Sequence, residues 1–240
     1  MFKWGSSILA STWYDWNYVI GFIPALLVSI WAQIYSYISF KRYANVHPTN
    51  KITAEELARK IMVYYKIKTI PIKKVEGEHT NHYNPRKDAL YLSASVMNSA
   101  SIPALGISAH EASHAVQYNR AKSGFYLKLR NIFLFIVNFI SNLAFPVYII
   151  GFITWNPFVM KLGAWMFTGV MLFHLATLPV EINSNKKALE VLENKRMFDD
   201  SEMSKLKSIL IACSIYYISS ALTSIFHLGK LLFLSHREID

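Results

Sequence analysis

The chain has 240 residues, of which 53% are hydrophobic and only 17% are charged. Soluble globular domains carry about 25% charged residues, so this composition favours a membrane protein and excludes a disordered chain. The single cysteine, Cys213, excludes an intrachain disulfide. The formal net charge of +10 suits either nucleic acid or an anionic membrane surface until the charges are placed along the chain.

Four stretches are long and apolar enough to cross a bilayer, which takes about 20 residues. The first carries no charge, ends at Lys41 and Arg42, and follows a cluster of aromatic residues typical of a membrane interface. A cleaved signal peptide is the alternative for this stretch, but its apolar run is long and begins late. A buried core helix is the alternative for any single stretch, and the presence of four argues against it. The predicted spans are residues 18–40, 131–154, 158–179 and 208–234.

The placement of basic residues predicts the orientation of these spans. The two polar segments, 41–130 and 181–207, lie on one side of the membrane and hold 15 and 6 of the 25 Lys and Arg residues. Because such residues are enriched in cytoplasmic loops, both segments are predicted to be cytoplasmic. Both chain ends, including residues 1–17, are then extracytoplasmic. The basic excess is therefore a topology signal, and nucleic-acid binding is the weaker interpretation.

Local signals divide the segment 41–130 into short elements. Thr53 and Glu56 have the spacing of a capping box and predict a helix over about 54–66. Pro71 restricts the strand that contains it to the edge of a sheet. The remaining predictions are a strand at 70–75, a turn at Gly77, a loop at 81–85, a strand at 89–92 and a helix that begins near Pro103.

The last of these helices contains an H-E-x-x-H motif, His110-Glu111-Ala112-Ser113-His114. Residues four apart lie on one face of a helix, about 6 Å apart, so both imidazoles can bind one zinc ion through bonds of about 2.0–2.1 Å. Glu111 can take a proton from an activated water without binding the metal itself. A polar helix with two incidental histidines is the alternative, and the helical context of the motif argues against it.

A catalytic zinc site needs a third protein ligand and one open position. Glu181 is the best candidate, because it directly follows the third span on the same side of the membrane as the motif. Asn185 lies one turn further and can hydrogen-bond a ligating histidine. The alternative for Glu181 is an acid favoured in the first turn of a helix that starts near Pro179. Cys213 lies too deep in the fourth span to serve.

Peptide-bond hydrolysis also needs a hydrogen-bond donor for the oxyanion that forms. His82, or its neighbour Tyr83, lies in a predicted loop of the polar domain and can supply this donor. A structural role in the loop is the alternative for both residues.

Together these features resemble the YugP-type neutral zinc metallopeptidases of bacterial membranes. The resemblance covers nearly the whole chain, and the stretches that carry it are Ile23 to Gln33, Gly77 to Ser93, Ala109 to Gln117 and Thr177 to Glu181. It implies a membrane-embedded peptidase with a gluzincin-like domain, distantly similar to HtpX and the CAAX-processing peptidases. In that family the residues matching His110, His114 and Glu181 would hold one zinc ion, with Glu111 as general base.

The chain departs from the pattern of this family at four positions near the site. The family usually has Gly where Ser113 stands, and Asp where Asn81, Asn84 and Asn183 stand. These departures leave every ligand in place, but they bear on the surroundings of the metal and on the reaction rate.

The sequence therefore predicts an α-helical membrane protein with four transmembrane helices and a small cytoplasmic α+β domain over 41–130, completed by a helix over 180–207. The predicted activity is zinc-dependent hydrolysis of membrane-associated or misfolded proteins at the cytoplasmic face of a bacterial cell membrane. The alternative is a catalytically weak or inactive zinc-binding protein that recruits partners, for which the Asp-to-Asn departures are the support. The predicted partners are the lipid bilayer and a peptide or membrane-protein substrate, without nucleic acid.

Overall fold

The computed structural model describes residues 16–77, 81–120, 139–140, 143–144, 146–151, 153–154 and 156–237. The predicted extracytoplasmic segment 1–17 lies largely outside the described residues, and the second predicted span, 131–154, lies partly outside them.

Long helices and one small sheet make up this part of the chain. The helices are α1 (Trp16–Tyr43), α2 (Ala54–Tyr64), α3 (Ala94–Met97), α4 (Ile102–Asn119), α5 (Pro157–Asn194) and α6 (Asp200–Arg237), with further helical residues at 146–151. The strands are β1 (Ile72–Val75), β2 (His82–Asn84) and β3 (Ala89–Ser93). The protein is therefore mostly helical, with a small mixed sheet.

The sheet has the strand order β1-β3-β2. β1 runs parallel to β3, and β2 runs antiparallel to it with Tyr83 opposite Leu90. The predicted edge position of the first strand is confirmed. The predicted loop at 81–85 is wrong, because three of its residues form β2. The cause is a hairpin turn in which Asn84 Oδ1 accepts hydrogen bonds from the N–H groups of Arg86 and Lys87, at 3.0 and 3.1 Å.

The start of each helix in the polar domain follows its predicted signal. The capping box at α2 is confirmed: the Thr53 hydroxyl accepts from the Glu56 N–H, and the Glu56 carboxylate accepts from the Thr53 N–H. α4 begins after Ser101, whose hydroxyl accepts from the Ala104 N–H, and Pro103 lies in its first turn. These caps set where the apolar stripe of α2 and the motif face of α4 begin.

The core of the polar domain joins α2, the sheet and α4. Leu57 of α2, Leu92 of β3 and Leu105 of α4 are fully buried in one cluster, which also includes Leu210 of α6. α4 therefore lies between the sheet domain and the long helices. At Gly106 it approaches α6 so closely that a Cβ atom would lie 2.9 Å from Ile209 Cβ.

The long helix α5 continues across a boundary that the sequence suggests between a membrane span and a polar helix. α5 continues through Pro179, so the predicted change from the third span to a polar helix at 179–180 falls inside one continuous helix. Buried residues on both sides of the proline, Thr177 and Val180, hold this part of α5 against its neighbours despite the hydrogen bond that a proline removes.

One helical stretch of the described residues, Asp200–Ile225 within α6, is long and apolar enough to cross a membrane by its length and composition. It overlaps the fourth predicted span. The full four-span arrangement stays a prediction.

Candidate metal centre

Two helices bring the predicted ligand atoms together. His110 and His114 lie one turn apart on the buried face of α4, and Glu181 of α5 is fully buried opposite them. The two Nε2 atoms are 3.2 Å apart. Glu181 Oε2 lies 3.2 Å from His110 Nε2 and 3.4 Å from His114 Nε2. The three atoms thus form a nearly equilateral triangle.

Hydrogen bonds fix which nitrogen of His110 carries its proton. Asn185 Nδ2 donates to the Leu210 carbonyl at 2.7 Å and to the Ser214 hydroxyl at 2.8 Å. Asn185 Oδ1 therefore faces His110 Nδ1, at 2.9 Å. Because an amide oxygen can only accept, His110 Nδ1 carries the hydrogen, and Nε2 of the neutral ring keeps its lone pair.

His114 is oriented in the same way by another amide. Gln117 Nε2 donates to the Val180 carbonyl at 2.8 Å, so Gln117 Oε1 faces His114 Nδ1, at 3.0 Å. The lone pairs of both Nε2 atoms and of the Glu181 carboxylate therefore point toward one small volume. Three acceptors at such distances repel one another unless a proton or a cation lies between them.

The triangle fits a zinc ion. A tetrahedral zinc with bonds of about 2.0–2.1 Å places any two of its ligand atoms about 3.3–3.4 Å apart, which matches all three sides. Two neutral imidazoles and one carboxylate are a common donor set for catalytic zinc and leave a fourth position open. The described residues thus offer a three-ligand site of suitable size and chemistry.

The close approach of these groups also shifts the pKa values of His110 and Glu181. Burial alone would lower the pKa of His110, but the hydrogen bond with Glu181 and the charges of Glu111 and Glu181 raise it above its ordinary value. Burial likewise favours the neutral form of Glu181, yet the histidines, with His114 foremost, hold the pKa of this carboxyl well below its usual range. The site therefore attracts a positive charge, either a proton or a metal ion.

Hydrogen bonds join α4 to α5 on both sides of the candidate ligands. The Ser184 hydroxyl donates to the His110 carbonyl at 2.8 Å, and Gln117 reaches the backbone next to Glu181. The contact of Asn185 with a histidine is confirmed, whereas the roles of Ser184 and Gln117 are not predicted from the sequence. The available signal for Gln117 is its place three residues after His114, on the same helical face.

The alternative interpretation of Glu181 is wrong. A helix that started near Pro179 would place this acid in its first turn, where the helix dipole favours it. α5 instead begins at Pro157, and Glu181 lies in its interior. The helix dipole therefore gives no reason for a buried carboxylate at this position.

Glu111 lies on the motif helix beside the triangle but outside it. Its Oε2 accepts a hydrogen bond from the Tyr83 N–H at 3.0 Å, so the backbone of β2 holds the carboxylate. Glu111 and His110 both line a cleft between α1 and α6, which Cys213 also lines. A carboxylate that is held this way and open to a cleft can exchange a proton with a molecule bound there.

His82 and Tyr83 point to opposite faces of β2. The Tyr83 hydroxyl donates to Asp88 Oδ1 at 2.8 Å, and its ring lies 5.8 Å from that of Tyr118 on α4. His82 is exposed, and its ring stacks on Tyr91 at 5.0 Å. Because alternate residues of a strand face opposite sides, His82 lies on the side away from α4. Its role as oxyanion donor stays a prediction.

Three of the departures from the family pattern have a local explanation. Asn84 starts the hairpin turn, and Asn81 Oδ1 accepts from the Ser93 N–H at 2.7 Å. Either acceptor role could be filled by Asn or Asp. The Ser113 hydroxyl donates within its own helix, to the Ala109 carbonyl at 2.8 Å. No contact described for Asn183 explains that departure.

Comparisons with known proteins agree with this geometry. Residues 18–236 match a family model described as "Putative neutral zinc metallopeptidase". The chain is 30% identical over 218 residues to a Bacillus subtilis (strain 168) protein named "Putative membrane protease YugP", covering 90% of this chain and 96% of that protein. No solved structure matches significantly. The chain belongs to the neutral zinc metallopeptidase family.

Proposed function

We propose that this protein is a membrane-embedded zinc peptidase that hydrolyses peptide bonds of membrane-associated or misfolded proteins. The supporting observation is the triangle of His110 Nε2, His114 Nε2 and Glu181 Oε2, with sides of 3.2–3.4 Å. Its size matches a tetrahedral zinc site with three protein ligands. Membership of a zinc metallopeptidase family supports the same metal and the same class of reaction.

In this proposal each residue has one task. His110, His114 and Glu181 hold a single zinc ion, which when bound polarises the scissile carbonyl and makes water a stronger acid. Glu111 accepts the proton of the attacking water at a carboxylate oxygen and passes it to the nitrogen of the leaving amine. The Tyr83 N–H, at 3.0 Å, keeps that carboxylate beside the cleft. His82 is the proposed oxyanion donor, and in this role its ring would have to turn from its stack on Tyr91 to face the metal centre.

The proposed topology has four spans, at 18–40, 131–154, 158–179 and 208–234, with the metal site on the cytoplasmic side. The apolar stretch Asp200–Ile225 supports the fourth span. The exposed apolar side chains of α1, including Leu27 and Trp31, suit contact with lipid. The concentration of basic residues in 41–130 and 181–207 supports the orientation.

Zinc content and casein cleavage of the purified full-length protein test the proposal. We expect one zinc per chain and chelator-sensitive cleavage. Glu111→Gln should keep the zinc, and its rate of casein cleavage should fall at least about 10²-fold, because the substitution removes the proton acceptor but no ligand. His110→Ala should lose the zinc. Glu193→Gln, an exposed acid on α5, is the matched control and should keep both.

The two parts of the proposal can fail separately. A wild-type protein without bound zinc would contradict the metal assignment. Full cleavage by Glu111→Gln would contradict the assignment of the general base and leave the metal site standing.

A further inference from the structure

A cleft of about 980 Å³ opens beside the candidate metal centre and runs between α1 and α6. His110 and Glu111 form part of its wall where it reaches α4. The two long helices that border it are hydrogen-bonded to each other along the cleft: the Ser36 hydroxyl donates to the Ala212 carbonyl at 3.4 Å, and the Ser29 and Thr223 hydroxyls are 2.8 Å apart.

The walls of this cleft are largely apolar, but each helix also carries polar side chains at the spacing of a helix face. Hydroxyl and amide side chains recur every three or four residues on each helix, which puts them on one side of it. They are Ser29, Gln33 and Ser36 on α1, and Tyr217, Ser220 and Ser224 on α6. In contrast, Leu27 and Trp31 on the outer side of α1 are 59% and 57% exposed. The polar stripes thus face the cleft while apolar side chains face outward.

The cleft extends into the predicted membrane-spanning part of both helices. Its α6 wall runs from Cys213, near the metal centre, to Ser224, a distance of about 16 Å at 1.5 Å per residue. That is roughly half of a hydrocarbon core of about 30 Å. Inside a bilayer, polar side chains line cavities or pack against protein, because lipid offers them no hydrogen bonds. The cleft therefore leads from the predicted membrane-spanning part of both helices to Glu111.

The charge and shape of the cleft indicate what it accepts. Among the described residues that line it, Glu111 is the one Asp, Glu, Lys or Arg. An acidic segment would be repelled by Glu111, and a charged segment would meet no other charged side chain among these residues. An extended polypeptide exposes N–H and C=O groups that need partners at this depth, and the Gln33 amide and the Ser220 hydroxyl of the walls can supply them.

We infer that the cleft receives an uncharged, extended segment of a membrane-spanning protein and leads it to the metal centre. At about 3.3 Å per residue, the 16 Å wall accommodates about five residues of such a segment. The substrates are then proteins cut at the cytoplasmic end of a membrane span, where a short stretch can unwind. This inference rests on the proposed function for the reaction, but occupancy of the cleft can be measured without any cleavage.

Site-directed photo-crosslinking tests the occupancy. The full-length protein carries Glu111→Gln to prevent cleavage, and p-benzoylphenylalanine replaces either Tyr217 in the cleft or Ile218 beside it. Ile218 is the matched control, because it is the adjacent residue of α6 and is 37% exposed. Each variant is reconstituted in vesicles with one of three test substrates. These are a model peptide with one uncharged span, the same peptide with two lysines in that span, and casein.

We expect the uncharged peptide to crosslink at position 217 at least tenfold more than at position 218, and more than either the charged peptide or casein. Equal crosslinking at both positions would mean general contact through lipid and would overturn the inference. Preferential crosslinking of casein at position 217 would also overturn it, in favour of a soluble substrate. Crosslinking of the uncharged peptide in a protein that binds no zinc would leave the cleft assignment standing and contradict the proposed function.

A second measurement uses the active protein and a blocked cleft. Ser220→Phe puts a large side chain into the wall, and Ile218→Phe puts the same side chain at an exposed position two residues away. For Ser220→Phe we expect the ratio of membrane-peptide cleavage to casein cleavage to fall at least tenfold, with zinc content unchanged. Ile218→Phe should keep the wild-type ratio. An unchanged ratio in Ser220→Phe with intact zinc would contradict the inference.

Discussion

The two imidazoles of the candidate metal centre are held by amides that are themselves hydrogen-bonded at their other end. Gln117 joins His114 to the backbone beside Glu181, and Asn185 joins His110 to α6 through Leu210 and Ser214. In each case the amide nitrogen is occupied as a donor, so the oxygen is directed at the ring. The lone pairs that would bind metal are thus oriented before the metal arrives, which lowers the cost of ordering them.

Removal of the Gln117 amide should weaken metal binding. Gln117→Leu leaves the Nδ1–H of His114 and the Val180 carbonyl without this partner, so the ring is free to turn. We expect zinc affinity to fall 10–100-fold, the range usual for such supporting contacts. Competition with a chromophoric chelator at fixed pH measures the change. Asn119→Leu, on the exposed side of α4 two residues further, should leave the affinity unchanged and serves as the control.

Proton binding at the site predicts how stability depends on pH. In the metal-free protein, the raised pKa of His110 adds stability below its ordinary value of 6.5, and this is lost as the pH rises through the raised value. The lowered pKa of Glu181 adds stability above its ordinary value of 4.5, and this is lost as the pH falls. The pair therefore stabilises the metal-free protein most between these two values.

Zinc competes with the proton that this pair holds. Because metal binding requires neutral histidines, the rise in Tm that zinc produces should be larger at about pH 7.5 than at about pH 5.5. Thermal unfolding of the purified protein with and without one equivalent of zinc measures this difference. A zinc effect that is independent of pH would contradict the ligand assignment. Glu181→Gln should lose most of the effect at both pH values.

At the scale of whole helices, one close approach sets the position of the motif. Gly106 of α4 lies against the branched side chain of Ile209 on α6, whose Cβ atom would be 2.9 Å from an added methyl group. Ile209 is fully buried and cannot swing aside. The absence of a side chain at Gly106 therefore decides how near the metal helix can come to α6.

A methyl group at Gly106 should force these helices apart. We expect Gly106→Ala to lower the free energy of unfolding by about 1–3 kcal/mol, as overpacking of a tight interior does. Thermal unfolding in detergent would show this as a lower Tm. Gly169→Ala is the matched control: nothing lies within 4 Å of its added Cβ atom, and alanine favours a helix more than glycine does. A Gly106→Ala protein as stable as this control would contradict the tight contact.

Elements with strong local signals can be predicted from the sequence, whereas elements that depend on contacts with distant residues cannot. The capping box, the edge strand and the start of the motif helix are all confirmed, because each depends on a few neighbouring residues. β2 is missed, since the three residues His82 to Asn84 are too few for a periodic signal and owe their strand to pairing with β3. The continuation of α5 through Pro179 likewise depends on packing that no local pattern shows.

The residues of the candidate site likewise include some that can be predicted from the sequence and some that cannot. The motif and Glu181 can be paired from the sequence, and the structure brings these side chains together as expected. The role of Ser184 and the link from Gln117 to Val180 cannot be assigned beforehand, because the partners are 74 and 63 residues apart in the chain. Which side of α5 faces α4 has to be known first.

For the molecule as a whole, topology is the most direct test of the membrane arrangement. Lys161 and Lys186 are exposed residues of the same helix, about 38 Å apart along its axis, which exceeds a hydrocarbon core of about 30 Å. In a Cys213→Ser background, Lys161→Cys should react with a membrane-impermeant maleimide in intact cells. Lys186→Cys should react only after the cells are made permeable. The reverse pattern would invert the proposed orientation.

The unbroken course of α5 from Pro157 to Asn194 has a consequence for how this protein can be divided. Glu181, the third candidate ligand, lies on the same helix whose first part is the predicted third membrane span. An excised fragment of residues 41–130 would keep His110 and His114 but lose Glu181, along with the Asn185 amide that joins His110 to α6. The candidate metal site and the predicted membrane anchor are therefore not separable modules, and we expect truncations or gene fusions that replace α5 to abolish zinc binding.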